Sequence, residues 1–295
     1  MASLKEIKTR IGSVQSTLKI TSAMKIVAST KLKRAQVAIQ MVLPYERQMN
    51  RILTNFLSAE NSNIESPYIQ DRKEKKIAIV TVASNSSLCG GYNSEVIRNT
   101  TQLLKEYEGF GKDNVTVYPI GRKVAQTLNG NTYSVADDYK LIGDKPNYKD
   151  SSELARKLMD LYMKKEIDKV ELVYMHFVST GVQLLRKETF LPLQLPKVNP
   201  SDSKDEFNSD YIFEPSQTAI LNSLLPEYIR FKMFATLLDA NTSEHAARMV
   251  AMQQATDNAQ SLLRDLTLTY NKARQASITN EILEITGGAE ALKNS

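Results

Sequence analysis

The sequence predicts an α/β protein in which two very long terminal helices pair antiparallel as a coiled coil, with a small α/β domain at the base of the pair. Three observations predict it. An apolar seam runs through the first 43 residues, strand and helix patterns alternate between about residues 76 and 195, and residues 227–286 contain neither Gly nor Pro.

The N-terminal helix comes first. In alternating steps of three and four from Leu4, the seam is Leu4, Ile7, Ile11, Val14, Leu18, Thr21, Lys25, Ala28, Leu32, Ala35, Ile39 and Val42. Apolar residues sustained at that spacing are the signature of a coiled coil. Only Thr21 and Lys25 interrupt it. Pro44 is expected to end or kink the helix, because proline lacks the amide hydrogen and its ring clashes with the preceding turn. Ile52 to Leu57 carry the pattern a few turns further.

A polar stretch, Asn61–Lys76, reads as a linker, after which the period changes. Residues 76–83, apolar except for Lys76 and Thr81, read as a buried strand. A Ser/Asn/Gly turn follows, then a helix from about Ser94 to Tyr107, a strand over Val115–Pro119 and a short helix over Arg122–Leu128. Ser151-Ser152-Glu153 is placed to cap a further helix. Lys169–Ser179 and Leu184–Leu195 read as adjacent strands, and 197–210 as a polar surface loop. Strands alternating with helices indicate a small sheet domain.

At about 1.5 Å per residue, a helix over the sixty residues 227–286 would extend roughly 90 Å, too long to be buried in a domain of this size. It needs a partner for its own seam, which is Met249, Met252, Ala259, Leu263, Leu266, Tyr270 and Ala273, interrupted at Thr256. The N-terminal helix supplies the match, and two helices anchored in one domain pair antiparallel. The expected organisation is therefore a coiled-coil helix over 1–58, an α/β foot domain over 75–210 and a second coiled-coil helix over 211–295.

Composition excludes several chemistries. One cysteine, Cys89, rules out an internal disulfide and a cysteine-based zinc site, and two histidines, His176 and His245, are too few for a histidine-rich metal centre. No apolar run approaches the roughly 20 residues that span a bilayer. The N-terminus enters the helical pattern directly, so the chain as written is expected to stay in the compartment where it is made. Of the net charge of +5, residues 1–50 carry +7, nine basic residues against Glu6 and Glu46. Such an element wants an acidic partner: nucleic acid, anionic lipid or an acidic protein surface.

The turn Asn85-Ser86-Ser87-Leu88-Cys89-Gly90-Gly91 lies between strand and helix, where phosphate loops occur, but lacks their spaced glycines and Lys-Ser/Thr. It reads as a tight structural turn, with Cys89 a buried small residue, and both histidines read as structural. Two rivals stay open at this point. A nucleotide-binding enzyme built on that turn would leave the terminal helices unexplained. A nucleic-acid-binding coiled coil would bind through a basic arm that has no aromatic residue before Tyr45.

Two longer strings are more specific. Near the C-terminus stands Ile278-Thr279-Asn280-Glu281-Ile282-Leu283-Glu284-Ile285-Thr286-Gly287-Gly288-Ala289-Glu290-Ala291. Near the N-terminus stand Ser3-Leu4-Lys5-Glu6-Ile7-Lys8 and Lys19-Ile20-Thr21-Ser22-Ala23-Met24-Lys25-Ile26-Val27-Ala28. Both closely resemble the γ subunit of F-type ATP synthases, and Ala246–Met252 and Tyr270–Ser277 add to the match. The resemblance spans nearly the whole chain, dense at both ends and looser between.

It implies a Rossmann-like α/β domain at the base of the coiled coil, and a rotor that is not itself catalytic and holds no cofactor. Its implied partners are the α and β subunits of a hexameric ring (one such chain per three of each), the ε subunit and the membrane c-ring, with no nucleic acid. The implied location is peripheral, on the cytoplasmic face of a bacterial inner membrane, or on the matrix side for a mature mitochondrial chain. By the same resemblance Met24 and Lys25 match the contact with an acidic β-subunit loop, and Arg248 matches a coupled arginine on the facing helix. Arg274, Gln275 and Thr279 match further polar contacts with β, and Glu281 belongs to the same region. Ile282 to Leu292 would sit in the sleeve at the top of the ring. Tyr211, Phe213 and Glu214 match the foot motif near the c-ring and ε, with Phe213 where many relatives have tyrosine. In one departure, Ser84-Asn85-Ser86-Ser87-Leu88-Cys89-Gly90 replaces a family turn that carries one acid and one base. In another, Cys89 alone cannot form the redox pair of the chloroplast proteins.

Overall fold

The computed structural model describes residues 3–58, 66–70, 72–128, 134–135, 139–194 and 216–293. In chain order the elements are α1 (Leu4–Ser58), β1 (Ile77–Val82), α2 (Tyr92–Glu106), β2 (Val115–Ile120), α3 (Arg122–Leu128), β3 (Ser134–Val135), α4 (Lys140–Asp144), α5 (Tyr148–Met163), β4 (Lys169–Ser179), β5 (Val182–Leu191) and α6 (Gln217–Lys293). They form two compact units, Met1–Ala28 with Met249–Ser295, and Ser29–Arg248.

The larger unit is built on a five-stranded sheet of order β3-β2-β1-β4-β5. The first four strands are parallel and β5 runs antiparallel to β4 at the edge. Every residue of β1 is buried, as a parallel strand covered on both faces must be. Ile77 and Ile79 point to one face, where α2 and α3 contribute Val96, Leu104, Val124 and Leu128. Ala78, Val80 and Val82 point to the other, against Leu158 and Tyr162 of α5. The same core takes in Met49 and Leu53 of α1 and Leu225, Ile229 and Met233 of α6. Truncating a fully buried leucine such as Leu158 or Leu225 to alanine costs about 2–5 kcal/mol. Gly121, after β2, has φ +108, and a Cβ there would lie 2.1 Å from the Ala83 carbonyl oxygen, so no other residue fits.

Within this unit α1 and α6 run antiparallel. Tyr228 donates to the Asn50 side chain, while Tyr45, earlier in α1, packs edge-on against Phe231, later in α6, at 4.4 Å. Within the smaller unit the oxygens of Thr21 and Thr256 are 3.0 Å apart. Every seam position expected from Leu4 to Val42 and from Met249 to Ala273 is buried or half-buried, and from Ala259 to Ala273 only the seam positions escape full exposure.

Several local expectations are corrected. Helix α1 runs straight through Pro44. The carbonyl freed by the missing amide is that of Gln40, and both residues are exposed, so the lost bond falls on the solvent side of the helix. Helix α6 likewise passes through Pro226 and extends beyond Thr286. Asn147, not Ser151, caps α5: its side chain accepts from the Asp150 amide. Ser151 and Ser152 lie inside the helix, buried, donating to the carbonyls of Asn147 and Lys149. Strand β5 stops at Leu191, because Pro192 has no amide to continue the ladder. The short elements β3 and α4 were not expected. The described part of the linker is tied down, since the Lys75 and Lys76 amides donate to Asp168 and Arg72 donates to the Tyr162 carbonyl. The expected loop 197–210 lies outside the described residues.

Candidate functional site: contact surfaces of the helices

The strand order places a crevice at the carboxyl ends of β1 and β4, where open α/β sheets bind nucleotides. Here the protein's own groups fill it. Arg248 of α6 donates to the Ser84 hydroxyl at 3.0 Å and to the Ser87 carbonyl, and pairs with Glu244 at 2.6 Å. The Asn93 side chain accepts from the Ser84 amide and donates to the Ser86 carbonyl and to the Cys89 sulfur. Asn85 accepts from the Arg122 amide at 2.8 Å, opening α3. A neutral amide makes that contact as an acid would, so the loss of charge in this turn leaves its geometry satisfied. Leu88 and Gly90 take positive φ, 68° and 61°, to close the turn. Burial pushes the Cys89 thiol up from its ordinary range, away from a nucleophilic thiolate. The loop is a structural turn. Among the described residues no group of three or more His, Cys, Asp or Glu side chains could hold a metal ion.

The remaining expected site residues lie on helices. In the smaller unit Met24 and Lys25 are half-buried, between exposed Ile20 on one side and exposed Ile26 and Val27 on the other. Lys25 occupies a seam position one turn beyond Thr21, which places it opposite the turn of Met252. A lysine there covers the seam with its stem and keeps its ammonium outward, and it has no ion pair among the described residues.

Arg274, Gln275, Thr279 and Glu281 share one stretch of α6 and are all exposed. From Arg274 to Ala289 no side chain is even half-buried, so the helix has left its partner. This stretch is not polar: Ile278, Ile282, Leu283 and Ile285 are 48–71% exposed. At helical spacing Arg274, Ile278, Glu281 and Ile285 make one stripe, with Gln275, Thr279 and Ile282 beside it. Polar residues and bare isoleucines therefore alternate along one surface, which suits a partner that is apolar with charged points.

Within the smaller unit these residues do not converge on one site. Lys25 and Arg274 belong to turns far apart along the helix pair, and Arg248 belongs to the other unit. Tyr211, Phe213 and Glu214 lie outside the described residues. Sequence reasoning read His176 and His245 as structural but missed the constellation they belong to, the buried polar run Asp239, Asn241, Thr242, Ser243, Glu244 and His245. Asp239 accepts from His176 Nδ1 at 2.6 Å and from the Phe177 amide at 2.9 Å. Burial raises the Asp239 carboxyl above its usual range, with the His176 and Phe177 bonds acting against it.

Comparison with known proteins gives these surfaces a context. A family model described as ATP synthase matches residues 3–292. The ATP synthase gamma chain of Phocaeicola vulgatus is 54% identical over 99% of this chain and all of its own length. That of Bacteroides thetaiotaomicron is 50% identical, covering 98% of this chain and 99% of its own, and that of Flavobacterium johnsoniae 42% over 99% of each. The fold is also that of a chain in the Euglena gracilis mitochondrial ATP synthase (OSCP/F1/c-ring), with TM-score 0.64 at 19% identity over 98% of this chain and 94% of that one. A chain of the Tetrahymena thermophila mitochondrial ATP synthase central stalk and c-ring matches with TM-score 0.57 at 20% identity, over 80% of this chain and 99% of that one. With a family model spanning residues 3–292 and full-length relatives at this identity, the chain belongs to the ATP synthase gamma chain family.

Proposed function

We propose that this chain is the central-stalk rotor of a bacterial F-type ATP synthase. It is a non-catalytic subunit that couples c-ring rotation, driven by proton flow, to conformational changes in the catalytic β subunits, and runs in reverse during hydrolysis. The observation that carries the reading is the end of α6, which leaves its partner helix after Ala273 and continues with Ile278, Ile282, Leu283 and Ile285 bare. An apolar helix end of that kind needs an enclosing partner, and a ring of three α and three β subunits supplies one. Rotation works by differential binding: each orientation of an asymmetric shaft favours one conformation of a site elsewhere.

Met24, Lys25, Arg248, Arg274, Gln275, Thr279 and Glu281 are the candidate contacts with β. Tyr211, Phe213 and Glu214 are the candidate contacts with the c-ring and ε. Among the described residues no helix is long and apolar enough to cross a membrane. The bacterial gamma-chain relatives support a peripheral association, through the complex, at the cytoplasmic face of the inner membrane. Co-expression with the α and β subunits of the same organism tests the reading. One copy retained per hexameric ring is expected, and a ring that forms and excludes the chain would sink it.

A further inference from the structure

We infer that residues 239–248 of α6 are a torsional weld, which fixes the long helix rotationally in the α/β domain so that torque applied to the domain enters α6 without slip. The inference rests on the rotor reading above. A helix held only by apolar packing is held by a force without direction. Interdigitated side chains oppose its rotation, but they set no partner atom at a fixed angle. Hydrogen bonds are directional, and weaken steeply as their angle departs from line.

Along most of its contact with the core α6 offers apolar side chains such as Leu225, Ile229, Met233 and Leu237. The character changes abruptly at Asp239. Asp239, Asn241, Thr242, Ser243, Glu244 and His245 are all buried, in a helix enclosed on every side. Burying so many polar groups is expensive and adds little net stability even when they are paired, so stability does not explain them. Their partners do.

Asp239 is tied to β4 by two bonds, to His176 at 2.6 Å and to the Phe177 amide at 2.9 Å. The α6 backbone at Ala240 accepts from Tyr92 of α2 at 3.0 Å. Asn241 donates to the Gly143 carbonyl of α4 at 3.0 Å, and Arg248 donates to Ser84 and Ser87 in the turn after β1. Four separate elements grip about three turns of one helix. At about 100° per residue, Asn241 and Arg248 project roughly 200° and 180° around the axis from Asp239. Ties on opposite sides of an axis form a couple. Rotation in either sense must stretch bonds on both flanks at once. Asp239, Asn241 and Tyr92 are thus positioning residues, distinct from the candidate contacts with a neighbouring subunit, while Arg248 is both a tie and a candidate contact.

Single-molecule rotation tests this in the complex assembled with three α and three β subunits. A probe is attached to the α/β domain through Lys105→Cys on the exposed last turn of α2, buried Cys89 staying unlabelled. The angular variance of the probe is recorded while rotation is stalled. Asp239→Ala with Asn241→Ala cuts ties on both flanks, and a roughly twofold rise in variance is expected as these directional bonds are lost. Leu237→Ala, which opens a cavity in the same helix without cutting a tie, is expected to lower the melting temperature and leave the variance unchanged. Unchanged variance in the double variant would overturn the weld, as would an equal rise in Leu237→Ala. If the double variant does not assemble, Tyr92→Phe removes one hydroxyl only, and unchanged variance there overturns the weld as well. Failure of ATP-driven rotation in the otherwise unsubstituted complex would instead strike the rotor reading.

Discussion

The hydroxyl oxygens of Thr21 and Thr256 lie 3.0 Å apart across the helix pair. Each is the residue at which its own seam stops being apolar, so the two interruptions are one polar layer. Thr256 also reaches the Met252 carbonyl at 2.7 Å and Thr21 the Leu18 carbonyl at 3.2 Å, so each single hydroxyl hydrogen is shared between its own helix and the layer. Such a layer costs stability and specifies register, because any slip would set a hydroxyl against an apolar partner. Thr256→Val alone is expected to destabilise by about 1 kcal/mol, and the double change to valine to be neutral or stabilising. A thermal double-mutant cycle checks this, and additive losses would contradict a shared layer.

One turn further along α1, Lys25 is half-buried rather than fully solvent-facing, with no ion pair among the described residues. Its ammonium is therefore available to an acidic loop of another subunit. Lys25→Ala should change the stability of the chain by no more than about 0.5 kcal/mol while weakening coupling between rotation and catalysis. ATP-driven proton pumping in membrane vesicles is the measurement. Pumping equal to wild type would remove Lys25 from the set of contacts.

What the sequence made legible follows its periodicity. Leu4 to Val42 and Met249 to Ala273 repeat over many turns, and the buried positions fall on those seams. The apolar run of β1 and the paired runs of β4 and β5 carry the same kind of signal. Ser134–Val135 and Lys140–Asp144 are too short to repeat anything, and Asn147 was overlooked because Ser151 and Glu153 imitate a cap. The segment Asp239 to His245 was hidden for another reason. A helix polar on all sides reads as solvated, and only the tertiary partners His176, Tyr92 and Gly143 make it interior. Candidate contacts such as Lys25 and Arg274 left only a weak mark, because among the described residues neither has an ion-pair partner within this chain.

The bare apolar end of α6 separates assembly from folding. Ile282 and Ile285 are exposed by 54% and 71%, so changing both to aspartate removes no buried contact within the chain. The stability of the isolated chain should shift by no more than about 0.5 kcal/mol per site. Retention in the ring of three α and three β subunits should fall sharply, since two carboxylates would have to be desolvated against an apolar sleeve. Size-exclusion analysis of the reconstituted complex reads this directly, and undiminished retention would show that this end is not enclosed.

His245 gives the chain a pH dependence of definite sign. Burial lowers its pKa from the ordinary 6.5; Glu244 and Asp144 act against that shift, while Lys31 and Arg248 reinforce it. Its Nδ1 has no hydrogen-bond partner among the described residues. The folded protein therefore keeps the imidazole neutral at pH values where the unfolded chain has begun to protonate it. The stability associated with the neutral ring is fully present above about pH 6.5 and is lost progressively as the pH falls toward the depressed folded value. The slope from this one group is at most about 1.4 kcal/mol per pH unit. Asp239, whose carboxyl is raised by burial, acts with the opposite sign in a more acid window that opens above its ordinary value of 3.8. The cleanest measurement is therefore a difference: thermal unfolding of the full chain against His245→Leu between pH 8 and pH 5.5. Wild type should lose stability faster than the variant as the pH drops. Parallel curves would mean that His245 exchanges its proton equally in both states, and that its buried position has no electrostatic consequence.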